Sequence, residues 1–370
     1  MSVKSILYVT PALPVGGAEK FLVLLANSLV NELNKQIVVS LSHNNKLQNE
    51  FDKSIRFLVL PRFGKFDIAP LKSLRKLIKE EKPGVIFCLN FFSFFCIKLV
   101  TWGLQTKPPV VVSYHSTIPE NRKEHLLHKF YARLISKKDL VITVSKNQEK
   151  YTAEKYQIST DRFKTIHNGI DLARWYLPGT DWTAGIREQY GIPMDASVII
   201  MTAAFRPEKN HRGAIKSLRI LHSEHRKKAY LLFVGDGILL EHCRELAKEQ
   251  NMQEFIIFTG SQQDVRPFYW ASDLFALCST SVETFSIAAL EAMACGLPAV
   301  LTNIGGANEM IVTGLNGFLC DSDAADIALK WSTALKTDFS PQWIHNHVRK
   351  NFSAAKMIKK YKEVLQIQSD

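Results

Sequence analysis

Residues 283–298 read Glu283-Thr284-Phe285-Ser286-Ile287-Ala288-Ala289-Leu290-Glu291-Ala292-Met293-Ala294-Cys295-Gly296-Leu297-Pro298. Two carboxylates stand eight residues apart in a run that is otherwise small and apolar. The pattern predicts a helix over Phe285 to Ala294, stopped by Gly296 and Pro298. At about 100° per residue the two glutamates fall on nearly the same face, Glu283 just ahead of the helix's positive end and Glu291 about two turns inside. The alanines around Glu291 permit close backbone approach, and a carboxylate there can accept bonds from the paired hydroxyls of a sugar. Taken singly, each glutamate also fits a plainer reading, with Glu283 compensating the dipole and Glu291 facing solvent.

The segments around this helix set the architecture. Ala299 to Thr302 is a short apolar strand, and Val198 to Thr202, Ala229 to Val234, Phe255 to Phe258 and Leu274 to Cys278 are others. Helical stretches lie between them at 212–225, 239–250 and 265–271. An earlier series repeats the alternation, with strands at 4–10, 36–41, 56–60, 85–89, 109–114, 140–144 and 163–166, and helices at 18–33 and 71–81. Fully apolar short runs between helices mark strands buried on both faces, hence parallel α/β sheets. Trp175 to Pro193 lacks periodicity and reads as a linker. The expected fold is α/β, two Rossmann-like domains facing across a cleft. Residues 1–175 form the first, 176–350 the second, and 351–370 a C-terminal helix packing back toward the first.

Length and composition agree. The chain has 370 residues, 46% hydrophobic and 22% charged, which suits two globular domains and excludes disordered or collagen-like classes. Its six cysteines (88, 96, 243, 278, 295, 320) form no C-x-x-C pair and read as free thiols of a reducing compartment. The net charge is +12, and residues 1–175 carry 27 Lys and Arg against 14 Asp and Glu, so the whole excess lies in the first half. That asymmetry suggests a basic face for an anionic partner, or else an ordinary solvated surface. No cleavage pattern follows the first strand. Val85 to Leu104 contains Asn90 and Lys98 and reads as a buried strand followed by an amphipathic or partly membrane-facing helix.

Other motifs stand in order along the chain. Gly16-Gly17-Ala18-Glu19 follows the first strand, His115 follows Val112-Ser113-Tyr114, and His167-Asn168-Gly169-Ile170-Asp171 precedes the linker. With Glu283-x7-Glu291, Gly296-Leu297-Pro298 and Gly305-Gly306, they resemble glycosyltransferase family 4, the retaining GT-B enzymes also described as glycosyl transferases group 1. The resemblance implies that Glu291 binds the ribose hydroxyls of a nucleotide sugar and Glu283 the hydroxyls of the donor sugar. Backbone groups of Thr284, Phe285, Ser286 and Ile287 would contact sugar and diphosphate at the helix start. Gly16 and Gly17 would let the chain approach the diphosphate or acceptor, and Gly235 and Val265 would belong to nucleotide-side loops. His115, Lys209 and Glu283 are the expected catalytic residues.

The phosphate clamp departs from the family pattern. The run is Ala203-Ala204-Phe205-Arg206-Pro207-Glu208-Lys209, and the usual arginine position, five before the lysine, holds Ala204. Lys209 carries over as a diphosphate ligand, and Arg206 is a donor-binding candidate through its length and fork. Asp321-Ser322-Asp323 reads as a loop and not as a metal-binding D-x-D, and the remaining histidines, His211 among them, read as surface residues.

The expected function is therefore a metal-independent retaining glycosyltransferase. It would move a hexose or N-acetylhexosamine from a UDP-sugar, or a GDP-sugar, to a saccharide or lipid-linked acceptor in surface polysaccharide or glycolipid synthesis. No cofactor is expected beyond the nucleotide sugar as co-substrate, no metal and no nucleic acid. The expected location is cytoplasmic, peripheral at the inner face of the cytoplasmic membrane. Phe91 to Leu104 and Lys72, Lys76, Lys79, Lys123, Lys137 and Lys138 are the expected contacts with anionic lipid. The alternatives are a catalytically inactive GT-B binding module, or another GT-B enzyme such as a sugar-nucleotide epimerase.

Overall fold

The computed structural model describes residues 3–62, 67–115, 122–179, 184–225, 228–281 and 283–367. Among them thirteen strands make two sheets in which every pairing is parallel. The first sheet holds β1 (Ser5–Thr10), β2 (Lys35–Ser40), β3 (Arg56–Val59), β4 (Val85–Cys88), β5 (Val110–Tyr114), β6 (Leu140–Thr143) and β7 (Phe163–Thr165), in the order β3-β2-β1-β4-β5-β6-β7. The second holds β8 (Ser197–Thr202), β9 (Ala229–Val234), β10 (Ile256–Phe258), β11 (Leu274–Leu277), β12 (Ala299–Thr302) and β13 (Gly317–Cys320), in the order β10-β9-β8-β11-β12-β13. Both are doubly wound. Chain order reverses between β1 and β4 and again between β8 and β11, and ligands of such sheets bind beyond the carboxyl ends of the strands at that reversal.

Helices α1 (Gly17–Ser28), α2 (Ala69–Glu81), α3 (Phe91–Thr101), α4 (Arg122–Ala132) and α5 (Lys146–Tyr156) connect the first sheet. Around the second lie α6 (Ala184–Gln189), α7 (His211–Ser223), α8 (Leu240–Glu249), α9 (Arg266–Trp270), α10 (Ile287–Ala294), α11 (Ala307–Met310), α12 (Ala324–Ala334) and α13 (Pro341–Phe352), and α14 (Ala354–Leu365) closes the chain. The two-residue period of β1 sends Ile6 and Tyr8 into one apolar layer with Phe21, Phe87 and Tyr361. Leu7 and Val9 enter the opposite layer with Phe94 and Ile97. All six cysteines are free and buried.

The chain divides into unit 1, Met1–Asn168 with Met357–Asp370, and unit 2, Gly169–Lys356. The sequence reading put these limits at 175/176 and 350/351. The difference has local causes: Ile170 donates to the Phe352 carbonyl, and Trp175 is buried beside Tyr269. The stretch read as a linker also contains α6, whose Arg187 is buried. Its guanidinium donates to the carbonyls of Ala271, Met194 and Ala196 and pairs with Asp273, which bolts this stretch to unit 2. From Met357 onward α14 belongs to unit 1, where Met357, Ile358, Tyr361 and Leu365 enter the core and Lys362 pairs with Glu32.

Two expectations need correction. Phe91 to Leu104 does not offer a lipid-facing surface: Phe91, Phe94, Cys96, Ile97 and Val100 are core residues, because α3 packs on β4 and β5 with α2 and α4 beside it. The large apolar side chains exposed in that stretch are Leu99 and Trp102, at 44% and 77%. The Lys123 side chain lies outside the described residues. No helix among the described residues is long and apolar enough to cross a membrane.

His211 is not a surface residue either. It is 2% exposed and stacks on Phe205 at 4.0 Å between ring centroids. The Ala203 backbone is near, but neither ring nitrogen reaches hydrogen-bonding geometry with any group among the described residues. Desolvation lowers its pKa from 6.5 to about 4. Between those values the unfolded chain takes up a proton that the folded state refuses, so this site weakens the fold as pH falls from 6.5 toward 4. Replacing His211 with Phe keeps the stack and removes both nitrogens. The melting temperature is expected to rise more at about pH 5 than at about pH 8; an equal shift at both would contradict this account.

Candidate functional site

In unit 2 the reversal between β8 and β11 brings two loops together, and the Thr280 amide donates to the Glu208 carbonyl across them, at 2.9 Å. The turn Pro207–Lys209 follows β8 and presents Lys209, whose Nζ lies 2.6 Å from Oε2 of Glu283 beyond β11. Ser279 donates to the same oxygen at 3.1 Å. Both charged side chains are largely buried, at 23% and 15% exposure. Two residues 74 positions apart in sequence, each assigned from motif spacing, thus meet in one ion pair.

The backbone under Glu283 is fixed by glycine. Gly305 adopts φ +56, and a Cβ there would stand 1.6 Å from the Glu283 carbonyl oxygen, while Gly306 donates to the Thr284 carbonyl at 2.8 Å. Helix α10 starts at Ile287, two residues later than expected, because Ser286 is its N-cap and accepts from the Ala289 amide at 3.2 Å. Glu291 consequently lies just over one turn inside the helix, not two. The amides of Ile287 and Ala288 keep no intrahelical acceptor at this positive end. Thr284 and Phe285 are buried, and Phe285 packs on Phe352.

Glu291 has a partner that sequence reasoning missed. The Tyr269 hydroxyl lies 3.4 Å from Oε2 of Glu291 and 2.7 Å from Oγ1 of Thr202. Tyr269 is fully buried, and burial followed by the Glu291 charge raises its pKa well above the usual range, so it remains a donor. The available signal was a tyrosine inside the apolar run Phe268-Tyr269-Trp270, since a buried phenol must find an acceptor. Gly235 ties the neighbouring loops: its amide donates to the Gly260 carbonyl at 2.9 Å, and a Cβ there would meet the Ala203 oxygen at 2.1 Å. Val265 caps α9 beside the Asp264–Arg266 pair.

Arg206 is the N-cap of the Pro207–Lys209 turn, and its carbonyl accepts from the Lys209 amide at 3.1 Å. It is exposed and lines a cavity of about 740 Å³ with Arg212, Lys216 and His242, and Lys209 is not among that cavity's lining residues. Asp323 caps α12 by accepting from the amides of Ala325 and Asp326, and Asp326 accepts from Asp321. No group of three or more potential metal ligands occurs among the described residues.

In unit 1, Gly16 and Gly17 follow β1 and open α1. Gly16 is extended at φ −159, and the space a Cβ would take is filled by the Glu19 carboxylate, whose pKa is raised by desolvation. Asn90, after β4 on the other side of the reversal, caps α3 through the Ser93 amide at 2.9 Å. His115 follows β5 with its ring 4.6 Å from that of Phe21 and Nε2 2.9 Å from Oγ of Ser113. Desolvation lowers its pKa to about 4.

Residues 15–174 match the family model described as Glycosyltransferase Family 4, and residues 183–351 the model described as Glycosyl transferases group 1. With two Rossmann-like units, the fold is of GT-B type. The chain belongs to glycosyltransferase family 4 and is a glycosyltransferase enzyme. It is 29% identical over 306 residues to N-acetyl-alpha-D-glucosaminyl L-malate synthase of Bacillus anthracis, covering 81% of this chain and 78% of that one. It is 24% identical over 307 residues to UDP-Gal:alpha-D-GlcNAc-diphosphoundecaprenol alpha-1,3-galactosyltransferase of Escherichia coli, covering 79% and 78%. In structure it matches Anabaena Alr3699/HepE in complex with UDP at a TM-score of 0.84 and 19% identity, over 98% of this chain and 99% of that one.

If Tyr269 holds Glu291, Tyr269→Phe should lower stability by about 1 kcal/mol, because it strips a partner each from the part-buried Thr202 hydroxyl and Glu291 carboxylate. Urea unfolding with an unchanged m-value is the measurement. Unaltered stability would show that the contact does not form.

Proposed function

We propose that this enzyme transfers a hexose or N-acetylhexosamine with retention, without a metal, from a UDP-sugar to a saccharide or lipid-linked saccharide acceptor of surface polysaccharide or glycolipid synthesis. The observation that carries the reading is the Lys209–Glu283 pair at the start of α10, with Glu291 on the same helix. A nucleoside diphosphate is expected to take Lys209 from Glu283 and to meet the free amides of Ile287 and Ala288. Glu283 is then released toward sugar hydroxyls, and Glu291, steadied by Tyr269, accepts from the ribose diol. UDP is favoured over GDP because the Escherichia coli relative is named for a UDP-sugar and the Anabaena structure holds UDP.

The step that fits these residues is a front-face substitution. The bond from the anomeric carbon to the phosphate oxygen breaks while one to the acceptor oxygen forms on the same face, and the acceptor's proton passes to the departing phosphate. Lys209 and the helix amides stabilise the charge that develops there. In unit 1 the same reading assigns His115 to orienting the sugar instead of attacking it.

Peripheral attachment to an anionic membrane belongs to the proposal. Helix α4 leaves Leu126, Leu127 and Phe130 exposed at 65%, 42% and 48%, beside Lys129 and Arg133, and an apolar strip with flanking cations suits a lipid surface. This strip replaces the contacts expected from Phe91 to Leu104.

Wild-type protein should hydrolyse one UDP-sugar of a panel slowly, with activity persisting in excess chelator. In Glu291→Ala, UDP affinity should fall about tenfold or more, since bonds to a charged group are worth roughly 1.5–3 kcal/mol. Calorimetry showing wild-type UDP affinity in that variant would sink the ribose assignment. For the membrane, the protein should pellet with phosphatidylglycerol vesicles and release as salt rises. Leu126→Glu with Phe130→Glu should abolish pelleting and spare donor hydrolysis, and equal pelleting with neutral vesicles would contradict an electrostatic contact.

A further inference from the structure

The mechanism above leaves open which nitrogen of His115 carries its proton. Ser113 and His115 are two residues apart at the end of β5, so they project to the same face of the sheet, the face on which α14 packs. On that face Tyr361 is fully buried, its ring in contact with Phe21 and Phe87. Its hydroxyl lies 3.3 Å from Oγ of Ser113, and that oxygen lies 2.9 Å from Nε2 of His115. Three polar groups from β5, its following loop and the last helix therefore form a chain.

The direction of the chain follows from counting protons. Among the described residues the Tyr361 hydroxyl has one partner, Ser113, and no water reaches it. Its O–H must donate there or go unsatisfied, and an unsatisfied buried donor costs more than a typical neutral hydrogen bond gains. Ser113 is also fully buried, and its partners are Tyr361 and His115. Once its oxygen accepts from Tyr361, its single proton has one destination, Nε2 of His115. The opposite direction, with Nε2–H donating to Ser113 and Ser113 to Tyr361, would strand the phenolic proton.

We infer that Tyr361 acts through Ser113 as a positioning residue that fixes neutral His115 with its proton on Nδ1. With Nε2 accepting from Ser113 and the proton on Nδ1, the neutral ring has no uncommitted lone pair, which excludes service as general base or nucleophile while the chain stands. The C-terminal helix is thereby part of the catalytic apparatus of unit 1. The inference rests on the proposed role of His115 for its catalytic meaning but not for its structural content.

The test is separable in the same way. Long-range ¹H–¹⁵N correlation spectra of histidine-labelled, substrate-free protein should show Nε2 as the unprotonated, acceptor-type nitrogen of His115 and Nδ1 as the protonated one. A protonated Nε2, or rapid exchange between tautomers, would overturn the inference. In Tyr361→Phe, which keeps the ring packing, the two tautomers should mix. There kcat for donor hydrolysis should fall about three- to tenfold, the worth of one neutral hydrogen bond, with KM little changed. Ser113→Ala should do the same, and the double variant should lose no more than either single one, as expected of one chain. Wild-type kcat in both variants, with their melting temperatures retained, would refute the positioning role. Full activity in His115→Ala would instead refute the assignment of His115 to the sugar and leave the tautomer result intact.

Discussion

The ion pair between Lys209 and Glu283 is the constraint around which unit 2 is arranged. Both side chains are part-buried, at 23% and 15% exposure, and each supplies the other's counter-charge while Ser279 donates to the same carboxylate oxygen. Holding them at 2.6 Å requires the reversal of strand order, the glycine at 305 that admits the Glu283 carbonyl, and the serine cap that starts α10 where it does. On the proposed function, an arriving diphosphate would exchange one anion for another on Lys209, so the cation would never be left bare. A site built on exchange binds its ligand without first exposing a buried charge.

The basic excess of the first half has in part a local explanation. Lys82 is the C-cap of α2, Lys107 follows the end of α3, and Lys137 and Lys138 follow α4, all on the edge of the first sheet where helices end and strands begin. Of these, Lys82 complements the negative end of its helix. Arg75 adds direct bonds to the carbonyls of Val100 and Trp102. The glycine loop and His115 stand at the opposite, carboxyl edge of that sheet. Net charge by sequence interval therefore located a charged domain without saying which edge of it carries the charge.

Strands were the most legible elements, because β4 or β9 is a nearly unbroken apolar run between polar turns and a doubly wound sheet needs such strands. Helix α5 was invisible for the converse reason. It is polar on nearly every face, and its buried side includes Gln148 and Thr152, with Gln148 bridging the Val144 amide and the Tyr114 carbonyl. The short edge strand β13, opened by a glycine, carries too few residues for alternation to show. In the site, motif spacing named Lys209, Glu283 and Glu291, but no spacing rule could show that the first two contact each other. Tyr269 and Tyr361 were missed because a tyrosine in an apolar pattern looks like core, which both are, and only their hydroxyl partners distinguish them.

The central claim is that a nucleoside diphosphate binds in unit 2 by taking Lys209 from Glu283. Hydrogen–deuterium exchange of the free and UDP-saturated enzyme tests it most directly. The account predicts new protection concentrated in the loops that hold Lys209, Gly235, Val265 and Glu283 and in the first turn of α10, with no change along residues 98–110 and 134–140 of unit 1. Protection confined to unit 1, or to residues 212–216 and 239–243 of unit 2, would contradict it.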